Sequence, residues 1–180
     1  MAVQGSVDLV LIARAQLGDL VALDQVLALI QEPLFTHVSF IVGDEDVAAD
    51  VLQDVLLTIS RKLRSLRDPR WFRAWAYRIA TRAAIRQTRR SRRLRAVDPD
   101  ELANFPVDES ASLFDPEELA RVREAIGDLP AAAQVVIRMH YLDGLTQVEI
   151  AEALEISVGT VKSRISYGLT ALRKATGAAR

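Results

Sequence analysis

The side chains with the clearest chemistry lie near the end of the chain, in a segment that predicts a helix able to enter a DNA groove. Ser157 is a favourable N-cap, and apolar residues follow it at helical spacing from Val158 to Leu172. The opposite face is small, polar or basic and contains no acid. Such a face reads base edges with its first turns while nearby cations hold phosphates. Its candidate DNA contacts are Thr160, Lys162, Ser163, Arg164, Ser166 and Tyr167.

A shorter helix is predicted immediately before this one. Thr146 and Glu149 have the spacing of a capping box, in which each side chain satisfies a backbone donor at the start of a helix. Two short helices at a sharp angle form a helix-turn-helix, although an ordinary amphipathic hairpin has the same apolar pattern. The two caps and the acid-free outer face favour the DNA-binding interpretation. In the shorter helix, the side chains predicted to face inward are those of Val148, Ile150, Ala151 and Leu154.

Charge is sharply segregated along a chain whose formal net charge is only -1. Residues 61–95 contain 14 Lys and Arg against one acid, whereas residues 1–60 contain one cation and nine acids. Residues 96–128 are acidic again. Such blocks predict nucleic acid as the partner of the basic part and something else as the partner of the acidic parts.

The basic block predicts one long helix over residues 71–95. Phe72, Trp75, Ile79 and Ala83 recur on its buried side. Cations without interleaved acids repel one another unless phosphates neutralise them, and each phosphate contact also releases counterions. Trp71, at the edge of the preceding loop, is the candidate for contact with an unstacked base. The outward cations include Arg78, Arg82, Arg86, Arg89 and Arg90.

An acidic helix precedes the basic block and is predicted to run to about residue 63. Asp44, Glu45 and Asp46 at its start look like a metal cluster, but acids in a first turn complement the helix dipole and no matching ligands follow. One further face combines carboxylates with an apolar centre, which is typical of a docking site for a basic partner. That face consists of Asp50, Gln53, Asp54 and Leu57.

The remaining pattern predicts an all-α protein. Helices are expected over 8–30, with a bend or break at Gly18, and over 34–42, restarted by Pro33. His37 lies in an apolar segment and is expected to be a packed or half-exposed histidine and not a ligand. Residues 96–116 are acidic and proline-containing, whereas 117–127 and 131–142 are helical in pattern. The chain is therefore expected to form two small helical domains, 1–95 and 117–180, joined by an acidic flexible linker over 96–116.

Composition excludes several classes of function. The chain has no cysteine and two isolated histidines, which excludes disulfide and thiolate chemistry and argues against a metal site or any other cofactor. There is no uninterrupted run of 18 apolar residues and no signal-peptide pattern, so we expect a soluble, cytoplasmic protein without membrane insertion.

Several motifs, taken together, resemble the extracytoplasmic-function sigma factors, the smallest class of the sigma-70 family. The likeness covers nearly the whole chain and places both domains of that family in order. The second domain matches with LDGLT at 142–146, EIA at 149–151 and GTVKSR at 159–164, and the first with GD at 18–19, DVLQD at 50–54 and FRAWAYRIA at 72–80.

The resemblance implies a role for each surface. Asp50, Gln53 and Asp54 correspond to the contact with the clamp helices of core RNA polymerase. The loop containing Arg67, Arg70 and Trp71, with the helix after it, corresponds to the part that opens the promoter −10 element and holds a flipped base. The −35 element would be contacted by the outer face of the last helix and by His140, and the linker would thread towards the polymerase active site. An anti-sigma partner is implied as well.

Three departures from the family pattern affect these expectations. Arg82 stands where Asn is common, and Arg86 stands where Asn or Asp is common. Arginine cannot accept a hydrogen bond, so −10 preference is expected to differ or to depend more on phosphates. His140 stands where a permanent cation is common. Pro69 lies in a loop that is usually richer in glycine, which predicts a stiffer loop.

Two other classes of function remain to be distinguished. A stand-alone helix-turn-helix repressor or activator would use the basic block as extra duplex affinity and would bind its operator without polymerase. An enzyme acting on nucleic acid would need a cluster of metal-binding or nucleophilic side chains. In the sequence, Asp44, Glu45 and Asp46 are the one candidate for such a cluster. The chain is thus expected to be a non-enzymatic initiation factor.

Overall fold

The computed structural model describes residues 8–95, 122 and 124–175, and every regular element in those residues is a helix. The all-α prediction with two helical regions is therefore confirmed. The acidic linker predicted over 96–116 lies outside the described residues, and of the helix predicted over 117–127 the described residues, 122 and 124–127, are helical. The α-helices are α1 Leu9–Gln16, α2 Leu20–Val42, α3 Glu45–Lys62, α4 Phe72–Arg95, α5 Ala131–Tyr141, α6 Gln147–Leu154 and α7 Val158–Ala175, with 3-10 turns at Leu63–Ser65 and Pro69–Trp71.

The break between α1 and α2 lies at the predicted position. Gly18 has a φ of 101°, a conformation that favours glycine, and Asp19 caps α2 by accepting a hydrogen bond from the Ala22 amide at 3.1 Å. Arg14 also donates to the Asp19 carboxylate. The backbone donor of Ala22, followed by Arg14, holds the pKa of Asp19 below its usual value. The two helices can therefore fold against each other at a sharp corner.

The expectation that Pro33 restarts the chain as a new helix is wrong. Helix α2 runs without interruption from Leu20 to Val42 and contains Pro33 in its interior. Proline removes the hydrogen bond to the carbonyl four residues earlier, that of Leu29. Both Leu29 and Pro33 are exposed, so water can satisfy that carbonyl. The packing of the opposite, buried side then keeps the helix continuous.

Helix α2 is the centre of the first domain. It packs against α1, α3 and α4, and its buried positions include Val26, Leu34 and Val38. By length and composition alone α2 could cross a membrane. One side of α2, with Val26, Leu34 and Val38, is buried against other helices, whereas Leu20, Val21 and Leu29 are exposed.

Helix α3 begins with the acids that had resembled a metal cluster. Asp44 is the N-cap, and its side chain accepts a hydrogen bond from the Val47 amide at 3.0 Å. Glu45 and Asp46 occupy the first turn, where negative charge interacts favourably with the helix dipole. Capping and dipole interactions therefore account for all three acids.

The second domain is a helix-turn-helix resting on α5. Both hydrogen bonds of the predicted capping box are present, with the Thr146 amide donating to Glu149 at 2.8 Å and the Glu149 amide to Thr146 at 3.2 Å. Glu155 ends α6 with a φ of 56°. The prediction that Val148 faces inward is wrong, because its side chain is 51% exposed. Val148 lies in the first turn of α6, where no helix of the described part of the chain covers it, whereas Ile150 lies in the core.

Close contact between α5 and α7 depends on a glycine that the sequence pattern did not single out. A Cβ added at Gly168 would lie 1.9 Å from the Cδ1 atom of Ile137 and 3.4 Å from Leu129. Ile137 and Leu129 are themselves buried in a small cluster beneath the helix-turn-helix. Gly168 therefore sets the distance between α7 and α5.

We expect Gly168→Ala to destabilise the second domain relative to Gly127→Ala. Both substitutions gain helix propensity, but only the first adds a methyl group to an occupied space, and overpacking costs about 1–3 kcal/mol. A Cβ at Gly127 meets nothing within 4 Å, which makes it the matched control. The measurement is the free energy of unfolding in urea, followed by helical circular dichroism. Equal values for the two variants would contradict this packing role.

Candidate nucleic-acid interface

The cations predicted to bind nucleic acid lie along one side of α4, here called the arginine face. It consists of Arg78, Arg82, Arg86, Arg89 and Arg90, of which all but Arg78 are exposed. The opposite side of α4 is buried and contains Phe72 and three small residues, Ala76, Ala80 and Ala84. Small residues let α4 lie close to its neighbours, so the charged face projects from a rigid support.

The loop before α4 is held in one conformation by Asp68. Its carboxylate accepts a hydrogen bond from the Arg70 amide at 3.0 Å and from the Arg70 guanidinium at 2.7 Å. The side-chain bond from Arg70, followed by the backbone bond, holds the pKa of Asp68 below its usual value. Pro69 occupies the first position of the turn, where its fixed φ suits a helical start. The loop is thus stiffened by both proline and a capping carboxylate.

The two tryptophans have different environments, as the sequence predicted. Trp75 is 9% exposed and packs beside Phe72, whereas Trp71 is 38% exposed at the start of α4. Arg67 and Arg70 are exposed in the same loop. An indole with one open side next to exposed cations has the chemistry of a stacking platform for an unpaired base.

The face predicted to dock a basic partner is exposed on α3 and is called the acidic patch here. Asp50, Gln53, Asp54 and Leu57 are all exposed, and Leu57 retains 47% of its accessible surface. The other side of α3 is buried. The structure therefore brings these four residues together as a polar surface around an exposed leucine.

The outer face of α7, called the recognition face, contains Thr160, Lys162, Ser163, Arg164, Ser166 and Tyr167. Lys162, Ser163, Ser166 and Tyr167 are exposed, while Thr160 and Arg164 are half-buried. The Thr160 hydroxyl lies 2.9 Å from the Ser157 hydroxyl, which also caps the helix by accepting from the Thr160 amide. Ser163 donates to the Thr160 carbonyl. His140 lies apart on α5, where its Nδ1 atom donates to the Leu145 carbonyl at 3.0 Å.

Two protein-family models match this chain, one over each helical region. Residues 29–94 match the family model "Sigma-70 region 2" and residues 119–172 match "Sigma-70, region 4". The chain is 35% identical over 170 residues to the ECF RNA polymerase sigma-E factor of Escherichia coli K12, with 88% of each chain covered. It is 32% identical over 143 residues to sigma factor SigZ of Bacillus subtilis, with 79% of this chain and 80% of SigZ covered.

The chain belongs to the extracytoplasmic-function sigma factors of the sigma-70 family. It is an RNA polymerase sigma factor that directs transcription initiation and is not an enzyme. Two solved structures have the same fold. CnrH, in complex with the cytosolic domain of CnrY, aligns with a TM-score of 0.69 at 28% identity and covers 96% of this chain and 99% of its own. The sigma factor RpoE of Bartonella quintana, in complex with NepR, gives 0.67 at 22% identity, covering 87% of this chain and 98% of its own.

Part of the arginine face of this sigma factor contacts the second domain, which sequence reasoning did not foresee. Arg78 Nη1 lies 3.2 Å from Glu152 Oε1 and 3.7 Å from Glu155 Oε1, and Arg82 pairs with Glu155. Glu152 and Glu155 belong to α6 and its C-cap. No motif signals these pairs, because the residues are more than 70 positions apart.

A buried polar cluster joins the two domains of the sigma factor beneath these surface pairs. His37 Nδ1 lies 2.8 Å from Asp143 Oδ2, and His37 Nε2 lies 2.9 Å from the Thr81 hydroxyl. Arg73 of α4 donates to the Asp143 carbonyl at 2.8 Å, and Arg138 lies 3.6 Å from the Asp143 carboxylate. His37 is packed, as expected, but its main partner comes from the other domain. We call His37, Arg73, Thr81, Arg138 and Asp143 the Asp143 cluster.

Aromatic rings complete the surroundings of this cluster. The Arg138 guanidinium lies 4.8 Å from the centre of the Phe40 ring, and the Tyr77 ring meets His37 edge to face at 5.0 Å. Burial and, to a smaller extent, the Asp143 carboxylate raise the pKa of Tyr77. Charges and hydrogen-bonding groups from both domains are thus brought together, and all of them except the half-buried Arg73 have buried side chains.

Proposed function

We propose that this sigma factor acts in the cytoplasm, where it joins core RNA polymerase and reads two promoter elements. Residues 1–95 would dock polymerase and capture the −10 strand, residues 96–116 would connect the domains, and residues 117–180 would bind the −35 element. The observation that carries the proposal is the contrast between adjacent helices α3 and α4. One exposes the acidic patch and the other the arginine face.

The acidic patch suits a protein partner more than a nucleic acid. Asp50 and Asp54 would repel phosphates, and Leu57 offers an apolar centre that water does not stabilise. A core of apolar contact with a polar rim is the usual organisation of a protein interface. Among the partners of a sigma factor, core polymerase is the one that every promoter-bound complex contains, so we assign the patch to it.

The arginine face and its loop suit a separated strand. Promoter opening requires only that the sigma factor bind the open strand more tightly than the duplex. Trp71 can stack on a base only when that base has left the duplex, whereas Arg67, Arg70 and Arg86 can hold phosphates in either state. The stiff loop around Asp68 limits the conformational entropy that capture would otherwise cost. These residues together would favour the melted −10 element.

The recognition face suits a duplex. Lys162 and Arg164 would contact phosphates, while the exposed Ser163, Ser166 and Tyr167 would contact base edges. The hydroxyl of Thr160 is already bonded to Ser157, which leaves its methyl group to contact a thymine methyl. Because His140 Nδ1 donates to a carbonyl, this side chain can donate to a phosphate only when its second ring nitrogen is protonated as well.

An anti-sigma protein is proposed as a further partner. CnrH, which is 28% identical to this chain, forms a complex with the cytosolic domain of CnrY. The likeness extends over 96% of this chain, so both domains could meet such a partner. A protein that covers the acidic patch or the arginine face would prevent the polymerase and promoter contacts described above.

Transcription in the presence and absence of core polymerase tests the proposed function. With core polymerase we expect runoff transcripts from a subset of a promoter pool, and the enriched promoters should share both a −35 and a −10 sequence. The purified chain alone should bind the same duplexes weakly and with little sequence preference. Tight operator binding without polymerase, together with no runoff product, would instead identify a stand-alone helix-turn-helix regulator.

Reversal of charge on the acidic patch should weaken assembly with core polymerase. Gln53→Ala with Asp54→Arg replaces attraction by repulsion at an interface, for which we expect about a tenfold loss of affinity or more. The control pair, Gln25→Ala with Asp24→Arg, makes the same chemical change at exposed positions of α2. Affinity is measured by fluorescence anisotropy with labelled sigma factor. Equal binding of the two double variants would remove the patch from the polymerase interface.

Replacement of an outward arginine should change −10 preference more than overall affinity. Arg86→Asn introduces a side chain that both donates and accepts, so new base contacts become possible while one phosphate contact is lost. Arg86 is preferred to Arg82 for this test because Arg82 also pairs with Glu155. Arg61→Asn, at an exposed position of α3, is the control. Transcription from a library with a randomised −10 element gives the readout, and identical base preferences in all three proteins would contradict the assignment.

A further inference from the structure

Helix α1 holds the segment that leads from α3 into α4. That segment, residues 63–71, contains both 3-10 turns and is called the capture loop here. The side-chain amide of Gln16, the last residue of α1, donates to the Leu63 carbonyl at 3.0 Å and to the Leu66 carbonyl at 2.7 Å. Helix α1 also lies against both 3-10 turns. One side chain therefore bonds to two points of a loop that is 47 and 50 positions away in the sequence.

Both of these hydrogen bonds use the nitrogen of the Gln16 amide. A carbonyl oxygen can only accept, so two carbonyls require the NH2 group, which has two hydrogens to donate. The Leu63 carbonyl also accepts from the Leu66 amide at 3.1 Å, within the first 3-10 turn. The Leu66 carbonyl belongs to the peptide bond that leads into Arg67. The bond from Gln16 therefore fixes the orientation of the backbone at the point where the exposed part of the loop begins.

The end of α1 gives Gln16 a fixed position from which to reach these carbonyls. Gly18 has a φ of 101°, and its amide donates to the Ala15 carbonyl at 3.1 Å. The Asp19 amide donates to the Arg14 carbonyl, also at 3.1 Å. This pair of bonds is a Schellman motif, which ends a helix in a defined geometry. The backbone of Gln16 lies immediately before this motif, so the direction of its side chain is well defined.

The other contacts of the capture loop differ between its start and its end. At the start, the Leu63 side chain is 1% exposed and lies in the same hydrophobic core as Ile12 of α1. Towards the end, Asp68 accepts hydrogen bonds from Arg70, which is part of the loop itself. Internal bonds of this kind give the loop its shape but do not attach it to the rest of the domain. Gln16 supplies such an attachment between the two ends.

We propose that Gln16 is a positioning residue for capture of the −10 strand. It holds the capture loop on α1, so that Trp71, Arg67 and Arg70 meet an incoming strand in one arrangement. A loop that is already ordered loses less conformational entropy when a base stacks on it. Gln16 acts through the backbone of the loop and not by contact with DNA. The proposal rests on the assignment of this loop to the −10 element.

The first experiment removes the donor and keeps the length of the side chain. Gln16→Met has no donor, and Gln16→Glu presents acceptor oxygens to two carbonyls. Core polymerase with each full-length variant is titrated against a labelled single-stranded oligonucleotide that carries the −10 sequence of a promoter from the runoff pool. We expect both variants to bind about fivefold more weakly than the parent, the lower end of what stacking of a base on an aromatic ring contributes. Gln31→Met and Gln31→Glu, at an exposed position of α2, should bind as the parent does.

A second probe separates positioning of the loop from a general structural role. One abasic site is placed in turn at each position of the oligonucleotide, and the site that most weakens binding by the parent marks the captured base. On that abasic probe, Gln16→Met and the parent should differ by less than about twofold, because the base that would stack on the loop is missing. Assembly with core polymerase and binding of a −35 duplex should be unchanged, since the acidic patch lies on α3 and the recognition face on α7.

The third measurement asks whether Gln16 acts through Trp71. Trp71→Ala removes the stacking surface, so Gln16→Met in that background should weaken binding of the intact oligonucleotide by less than about twofold further. Two residues that serve one contact give effects that are not additive, whereas independent sites give effects that add. Gln31→Met in the same background is the control.

Three results would overturn the positioning role, and they differ in what they leave standing. Equal binding of the intact oligonucleotide by Gln16→Met and the parent overturns it while the runoff assay of the proposed function is unaffected. Equal weakening on intact and abasic probes, additive effects with Trp71→Ala, or impaired assembly with core polymerase would show that Gln16 only stabilises the domain. No binding of the −10 oligonucleotide by the parent holoenzyme would remove the −10 assignment of the capture loop and the positioning role with it.

Discussion

The concentration of positive charge on α4 is the constraint on which the rest of this structure depends. A helix with so many outward arginines is held in place by its other side, where Phe72 and a series of alanines lie buried against α2 and α3. The like charges that remain outside repel one another until an anion approaches. Two kinds of anion are available to the molecule, namely its own glutamates and the phosphates of a promoter.

This competition arises because carboxylates and phosphates bind the same guanidinium donors. Glu155 lies at the left-handed C-cap of α6, so a turn that ends one helix of the DNA-binding motif also delivers a carboxylate to Arg82. The buried His37 and Asp143 define the register of that approach, because a polar pair in a dry environment tolerates few alternative geometries. Arg78 and Arg82 thus belong both to the arginine face and to the contact between the domains.

The docking and reading surfaces follow from ordinary helix chemistry. Asp44 and Thr146 start their helices by capping free amides, and these caps fix which residues of α3 and α6 face outwards. Gly168 allows α7 to approach Ile137, so the recognition helix is supported along its inner side. Local rules therefore place the acidic patch, whereas the recognition face also depends on the tertiary contact between α7 and α5.

The sequence by itself determined most of the elements and their outward faces. Caps, helical periodicity and charge blocks act over a few residues, which is why the bounds of α3, α4 and α7 and the different exposure of Trp71 and Trp75 were predictable. The two errors had the same origin. Pro33 and Val148 were judged from local pattern, whereas their real environments depend on which side of a helix its neighbours cover.

Only the tertiary structure decided how the two domains meet. His37 and Asp143 are 106 positions apart, and Arg82 and Glu155 are 73 apart, so no spacing rule connects them. Each of these residues has an adequate local explanation as a core histidine, a turn aspartate or a solvated charge. Their partnership arises from the packing of α4 against α6 and of α2 against α5, because burial and ion pairing depend on what surrounds a side chain in space and not on what precedes it in the chain.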